Sequence, residues 1–215
     1  MKVGILGTGD VGRTLGTAFV TLGHQVKMGA REATNEKAAA WAKDAGQSAS
    51  HGTFADAAGF GDIVVLSTHG TANEAVLKSI PPERLQGKLL IDTTNPLDFS
   101  KGMPPRLFVG HTDSGGERVQ RAAPEARVVK CWNIVGHTSM FRPAYETGTP
   151  AMFICGNDAE AKKQVTRILH DFGWSEVVDF GGIESSRHLE PLCIVWVMYG
   201  AATGGWTHAF ALLKK

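Results

Sequence analysis

"KVGILGTGDVG", residues 2–12, sets a short apolar run against a turn punctuated by three glycines. The first half, "KVGIL", suits a strand buried on both faces. The second half, "GTGDVG", spells GxGxxG, and after it Val11, Leu15, Ala18, Phe19 and Leu22 recur at helical spacing. Strand, glycine turn and helix in that order are the context in which this pattern holds a dinucleotide. Gly7 permits the tight turn, Gly9 lets backbone approach a pyrophosphate, and Gly12 lets helix and strand pack closely. Thr8 lies in the same loop, and the N–H groups around Asp10 and Val11, with the helix dipole behind them, face the phosphates. The alternative is a bare strand-to-helix turn in a chain that carries 26 glycines.

Outward from this stretch, apolar runs alternate with helical patterns. "QVKMG" (25–29) reads as the second strand, followed by an Ala-rich helix over 36–45, a weak strand over 48–50 and a short helix over 54–58. "DIVVLST" (62–68), "KLLIDTT" (88–94), "ARVVKCW" (126–132) and "AMFICG" (151–156) are further buried strands. A helix over 159–172 and a last strand, "SEVVDF" (175–180), lead to a terminal helix from about Glu184. Asn157 with Glu160, and Ser114 with Glu117, have the spacing of capping boxes. Continuous apolar strands alternating with helices predict an α/β fold, a doubly wound parallel sheet of the NAD(P)-binding Rossmann type. Residues 1–182 form that domain and 183–215 a short C-terminal helical extension. The Gly- and Pro-rich stretch 95–114 is the longest irregular segment, and loops of that length are often functional.

The chain has 215 residues and a net charge of +1, without a Lys/Arg cluster, so nucleic acid is not an expected partner. Cys131, Cys155 and Cys193 are far apart, which argues for buried, inert thiols in a reducing compartment rather than disulfides or a metal site. No signal peptide opens the sequence, and a cytoplasmic protein is expected. Residues 192–213 carry no formal charge and are about long enough to span a bilayer, with Gly200 and Gly204 at small-xxx-small spacing. Thr203, Thr207, His208 and the glycines favour a helix buried at a core or subunit interface instead.

Near the end of the second strand, about 20 residues past the fingerprint, a carboxylate would hydrogen-bond the adenosine ribose of NAD(H). Here "MGARE" places Ala30 and Arg31 at that exit, with Glu32 only after the arginine. A guanidinium clamps a 2′-phosphate bidentately where a carboxylate repels it, so NADP(H) is the expected cofactor. The other reading is a solvated Arg31 with Glu32 on the ribose.

The motifs "GILGTGDVG", "VKMGARE", "DIVVLST", "LLIDTTNP", "RVVKCWNIVG", "FICGND" and "ESSRHLEPL" stand in the order seen in the coenzyme F420-dependent NADP oxidoreductase family, which the chain resembles along nearly its whole length. "GTGD", "DTTNP" and "VVKCWN" also resemble the cytosolic reductase domain of the six-transmembrane epithelial antigen ferric reductases. The resemblance implies NADPH along residues 7–12, its 2′-phosphate at Arg31, and a small-molecule hydride acceptor against the nicotinamide: F420, FMN or FAD. It also implies a homodimer formed partly by the terminal helix. Two positions depart from the archaeal deazaflavin enzymes: Ala30 replaces a serine and Asn133 a histidine, the asparagine being shared with the ferric-reductase domains.

Ligands of open α/β sheets lie outside the carboxyl ends of the strands. That gathers the glycine loop, Ser67, Thr68 and His69, Thr93 to Asn95, and Trp132 with Asn133 along one edge. Asn95 and Asn133 are candidates to hold the carboxamide or the acceptor, against the alternative of local turn bonds. His69 stands where the nicotinamide half would lie. Hydride transfer between two bound cofactors needs orientation more than acid–base help, so no conventional catalytic residue and no metal are expected. Competing readings are a β-hydroxyacid or imine reductase, which would need a large helical domain after the sheet, and a non-catalytic NADPH-binding redox sensor.

Overall fold

In the computed structural model, which describes residues 1–214, the opening run forms strand β1 (Lys2–Leu6) and the helix after the glycines is α1 (Asp10–Thr21). There follow β2 (Gln25–Ala30), α2 (Glu36–Ala45), β3 (Ala49–Thr53), α3 (Phe54–Phe60), β4 (Ile63–Leu66), α4 (Asn73–Lys78) and β5 (Leu89–Asp92). Beyond β5 a small ribbon, β6 (Leu97–Asp98) with β7 (Arg106–Leu107), occupies the Gly/Pro-rich stretch, so this stretch has its own structure. The second half continues with α5 (Gly115–Ala122), β8 (Arg127–Lys130), β9 (Ala151–Gly156), α6 (Ala159–Asp171), β10 (Glu176–Asp179) and α7 (Ser186–Thr203). One sheet runs in the order β10-β9-β8-β5-β4-β1-β2-β3. Its strand order reverses beside β1, which pairs with β2 on one side and β4 on the other. That reversal opens a crevice at the carboxyl edge.

The sheet is parallel, as the strand–helix alternation predicts, except where β9 meets β8. This strand runs antiparallel to β8, with Val129 opposite Gly156 and Lys130 opposite Cys155, and β10 runs parallel to β9. The connection over 131–150 contains a single 3-10 turn, His137–Ser139, and no crossover helix. A chain that does not cross the sheet face can only return antiparallel. The cap of α6 also moves by one residue. Asp158 Oδ1 accepts from Ala161 N at 2.7 Å, while Asn157 Oδ1 accepts from Ile183 N at 2.9 Å and ties the start of α6 to the approach of α7. Ser114 does cap α5, accepting from Glu117 N at 3.1 Å. Glu117 Oε2 accepts from the Ser114 hydroxyl and from Arg187 Nε of α7, each at 2.8 Å, and not from the Ser114 backbone, so the box is not completed. The weak third strand is longer than its sequence suggests, because Thr53 and Asp56 form a capping box that fixes where β3 ends and α3 begins.

The uncharged run 192–213 does not continue as one rod. At Gly204 the backbone turns left-handed (φ 71°), the helix stops, and the chain doubles back along it. Trp196 Nε1 donates to His208 O at 2.8 Å, and Phe210 O accepts from Ala151 N at 2.9 Å. A side chain on Gly200 would strike the Trp206 ring at 2.6 Å, so the spacing that resembles a membrane motif serves an intramolecular clasp. Among the described residues no helix is long and apolar enough to cross a membrane. The three cysteines are free and buried, and burial pushes the Cys155 and Cys193 thiols up to about 11.

The second half of the sheet and α7 are joined through a fully buried charge cluster. Lys130 Nζ, at the end of β8, donates to Asp92 Oδ2 at 2.7 Å and Thr94 O at 2.8 Å, and meets Glu190 Oε1 of α7 at 3.1 Å. Three ammonium protons thus meet three acceptors. Glu190 also accepts from Gly115 N and Gly116 N at 3.0 and 2.9 Å, holding the start of α5. Burial opposes the charge on Lys130, but the two carboxylates outweigh it and its pKa is raised. A lysine pKa raised on folding stabilises at every pH below the unfolded value, about 10.4, and the benefit is lost only above it. Lys130→Met is expected to leave two buried carboxylates facing each other and to cost about 3–5 kcal/mol. Thermal unfolding should register a fall of about 10 °C or more, and a shift within a degree or two would show that the cluster does not hold the halves together.

Candidate functional site

The crevice beside β1 is a cavity of about 620 Å³. Its floor is Gly7, Thr8 and Gly9; Ala30, Arg31 and Asn35 form the rim beyond β2; Ser67, Thr68 and His69 form the wall beyond β4. Phe54 and Val76 supply apolar surface. The turn is built by close approach. Gly7 has φ 129°, and a Cβ on Gly12 would come 2.4 Å from Gly7 O. At Gly9 a Cβ would meet nothing within 4 Å, so the missing side chain leaves open space in front of α1. No side chain caps that helix, which leaves its first N–H groups available to an anion. These are the features a pyrophosphate requires. The cation at the rim, on exposed Arg31, suits a further phosphate group. Glu32 is not among the residues that line the cavity.

Several residues expected at the site sit beside the cavity. Val11 and Gly12 lie within the first turn of α1, Gly12 buried against Gly7. Asp10 is exposed and pairs with Arg13; that guanidinium, with the charge of His137 nearby, holds its carboxyl below the usual range. Asn95 and Asn133 engage each other: Asn95 Nδ2 donates to Asn133 O at 2.7 Å and Asn133 Nδ2 to Asn95 Oδ1 at 3.0 Å. Asn133 Nδ2 also reaches Leu189 O of α7 at 3.1 Å. The pair joins the exits of β5 and β8 to α7 and lies outside the cavity lining. Trp132, fully buried before Asn133, adopts φ 61°, a conformation rare for a bulky residue, and this bend sets the direction in which the chain leaves β8.

The sequence reading missed Asn35, whose Oδ1 accepts from Ala38 N at 3.0 Å as the cap of α2. An asparagine just before an Ala-rich helical run is a signal for that cap. It also missed the hydrogen bonds behind the wall. Ser67 Oγ donates to Leu6 O at 3.1 Å, Thr68 Oγ1 to Asn73 Oδ1 at 2.7 Å, and His69 Nδ1 lies 2.8 Å from Thr71 Oγ1.

Residues 2–96, which contain the whole cavity lining, match the family described as NADP oxidoreductase, coenzyme F420-dependent. An F420-dependent NADP reductase of Methanocaldococcus jannaschii is 31% identical over 204 residues, covering 89% of each chain. The metalloreductase STEAP3 of Rattus norvegicus is 29% identical over 193 residues; the match covers 89% of the present chain and 36% of that protein. A crystal structure from Arthrobacter sp. FB24, described as an F420-dependent NADP-reductase, superposes with a TM-score of 0.93 at 38% identity over the full length of both chains. The antiparallel β9, the clasped α7 and the glycine crevice thus belong to a shared architecture, and the chain is a member of the coenzyme F420-dependent NADP oxidoreductase family.

Proposed function

We propose that the protein transfers a hydride between NADP(H) and coenzyme F420, with FMN or FAD as the alternative flavin-type acceptors. The observation that carries this is the pairing, in one cavity, of an open glycine floor with Arg31 on the β2 rim. The pyrophosphate would be held by the N–H groups around Gly9 and Asp10, and the 2′-phosphate by the Arg31 guanidinium. NADP(H) supplies the hydride chemistry. The chain supplies binding, orientation and exclusion of water, and needs no proton-transferring side chain for the hydride step itself. The Asn95–Asn133 pair acts as a rigid rail at the nicotinamide end, fixing two strand exits.

A homodimer in the cytoplasm completes the proposal. Val195, Met198 and Tyr199 are 52, 53 and 56% exposed and fall at i, i+3 and i+4 on α7. They form one apolar stripe beside a second cavity, of about 440 Å³, bounded by Trp196, His208 and Phe210. A second copy covering this stripe accounts for its composition.

The deciding assay is NADPH oxidation with F420, FMN and FAD offered separately; binding of NADPH without turnover on any of them would favour a redox sensor. Arg31→Ala is expected to weaken NADPH by about ten- to a hundredfold while leaving NADH nearly unchanged. Equal losses for both would remove the arginine from the 2′-phosphate. Gly9→Ala should melt like the parent protein, because its Cβ meets open space, yet lose about tenfold or more in NADPH affinity; unchanged affinity would place the pyrophosphate elsewhere. Sedimentation should give a dimer, and Met198→Glu a monomer; a dimer in both would move the interface off α7.

A further inference from the structure

Behind the β4 wall of the cavity, the buried ion pair fixes the direction of a chain of hydrogen bonds. Asp92 faces the Lys130 ammonium with Oδ2 and turns Oδ1 to Thr94, accepting from Thr94 N at 2.9 Å and Thr94 Oγ1 at 2.7 Å. A carboxylate opposite an ammonium only accepts, so the Thr94 hydroxyl proton is committed to it. Thr94 Oγ1 must therefore accept from its other neighbour, Asn73 Nδ2, at 2.7 Å. That orients the Asn73 amide: its Oδ1 faces Thr68 and accepts the Thr68 hydroxyl proton at 2.7 Å. Reversing the amide would set two oxygens against each other at Thr94 with no proton between them. Asn73, Thr94, Asp92 and Lys130 are all buried, so water does not scramble the order.

The Thr68 hydroxyl has one proton, and it is spent inward. We infer that this hydroxyl offers the cavity only lone pairs, and that it accepts a hydrogen bond there from an N–H or O–H of the nicotinamide nucleoside half of the dinucleotide. Across the sheet, Arg31 follows β2, the glycine floor follows β1 and Thr68 follows β4. With the 2′-phosphate at Arg31 and the pyrophosphate at the floor, the third position falls to the nicotinamide nucleoside, whose carboxamide and ribose both carry donors. Lone pairs repel a phosphate oxygen, so the same polarity opposes binding in the reversed orientation. Ser67 reinforces it, since its hydroxyl proton is given to Leu6 O.

This inference rests on the cavity holding NADP(H), and calorimetric affinities separate the two ideas. For Thr68→Val, NADP⁺ binding should weaken by about three- to tenfold, the size of one neutral hydrogen bond. Affinity for adenosine 2′,5′-bisphosphate, which lacks the nicotinamide nucleoside, should not change, and Thr68→Ser should bind NADP⁺ like the parent. The 3-acetylpyridine analogue, which lacks the amide N–H, identifies the donor. If the substitution no longer affects affinity for the analogue, the carboxamide is the partner; if the loss persists, it is a ribose hydroxyl. Parental affinity of Thr68→Val for NADP⁺, or an equal loss with the bisphosphate, would overturn the inference alone. A parent protein that binds neither ligand would overturn the cofactor reading with it.

Discussion

The ammonium of Lys130 has no access to water, and each of its protons is claimed by a different part of the molecule: the end of β5, the backbone just after it, and α7. Burying three charges is costly, and a well-packed apolar cluster could hold the same elements with equal strength. What an apolar cluster lacks is direction. Charges dictate which neighbouring atoms give protons and which receive them, and that ordering passes through Thr94 and Asn73 to Thr68 in the wall of the cavity. Packing at one end of the sheet thereby becomes chemical polarity at the other side of the crevice.

The cavity itself depends on subtraction. Where Gly12 meets Gly7, a side chain would break the turn; where Gly9 faces outward, a side chain would leave the fold intact and fill part of the cavity. The same residue type thus closes the turn at one position and opens the cavity three residues away. The cation of the cavity stands on a separate element, the rim after β2, where a residue can change without disturbing the floor.

Much of this was legible in the sequence, for identifiable reasons. Strands buried on both faces are continuously apolar, so β1, β4, β5, β8 and β9 stood out, and the glycine spacing with Arg31 located the crevice. Strand direction was not legible. Apolar periodicity is the same read either way, and only the absence of a helix between β8 and β9 betrays the reversal. The buried cluster around Lys130 leaves no local pattern, because its partners Asp92 and Glu190 are distant in sequence. Asn95 and Asn133 have the chemistry of ligand-binding amides, and they also bond to each other, a pairing that only the meeting of two strand exits could reveal. The α6 cap moved to Asp158 because Asn157 had a long-range partner in Ile183.

The clasp at the end of α7 has a spectroscopic consequence. Trp196 and Trp206 are held with ring centroids 5.5 Å apart and planes inclined by 46°. Two identical chromophores so close and so skewed couple their transition dipoles, and should give a paired band of opposite signs in circular dichroism. The fold therefore contains an optical gauge, free of any added label, that reports whether its final segment is closed.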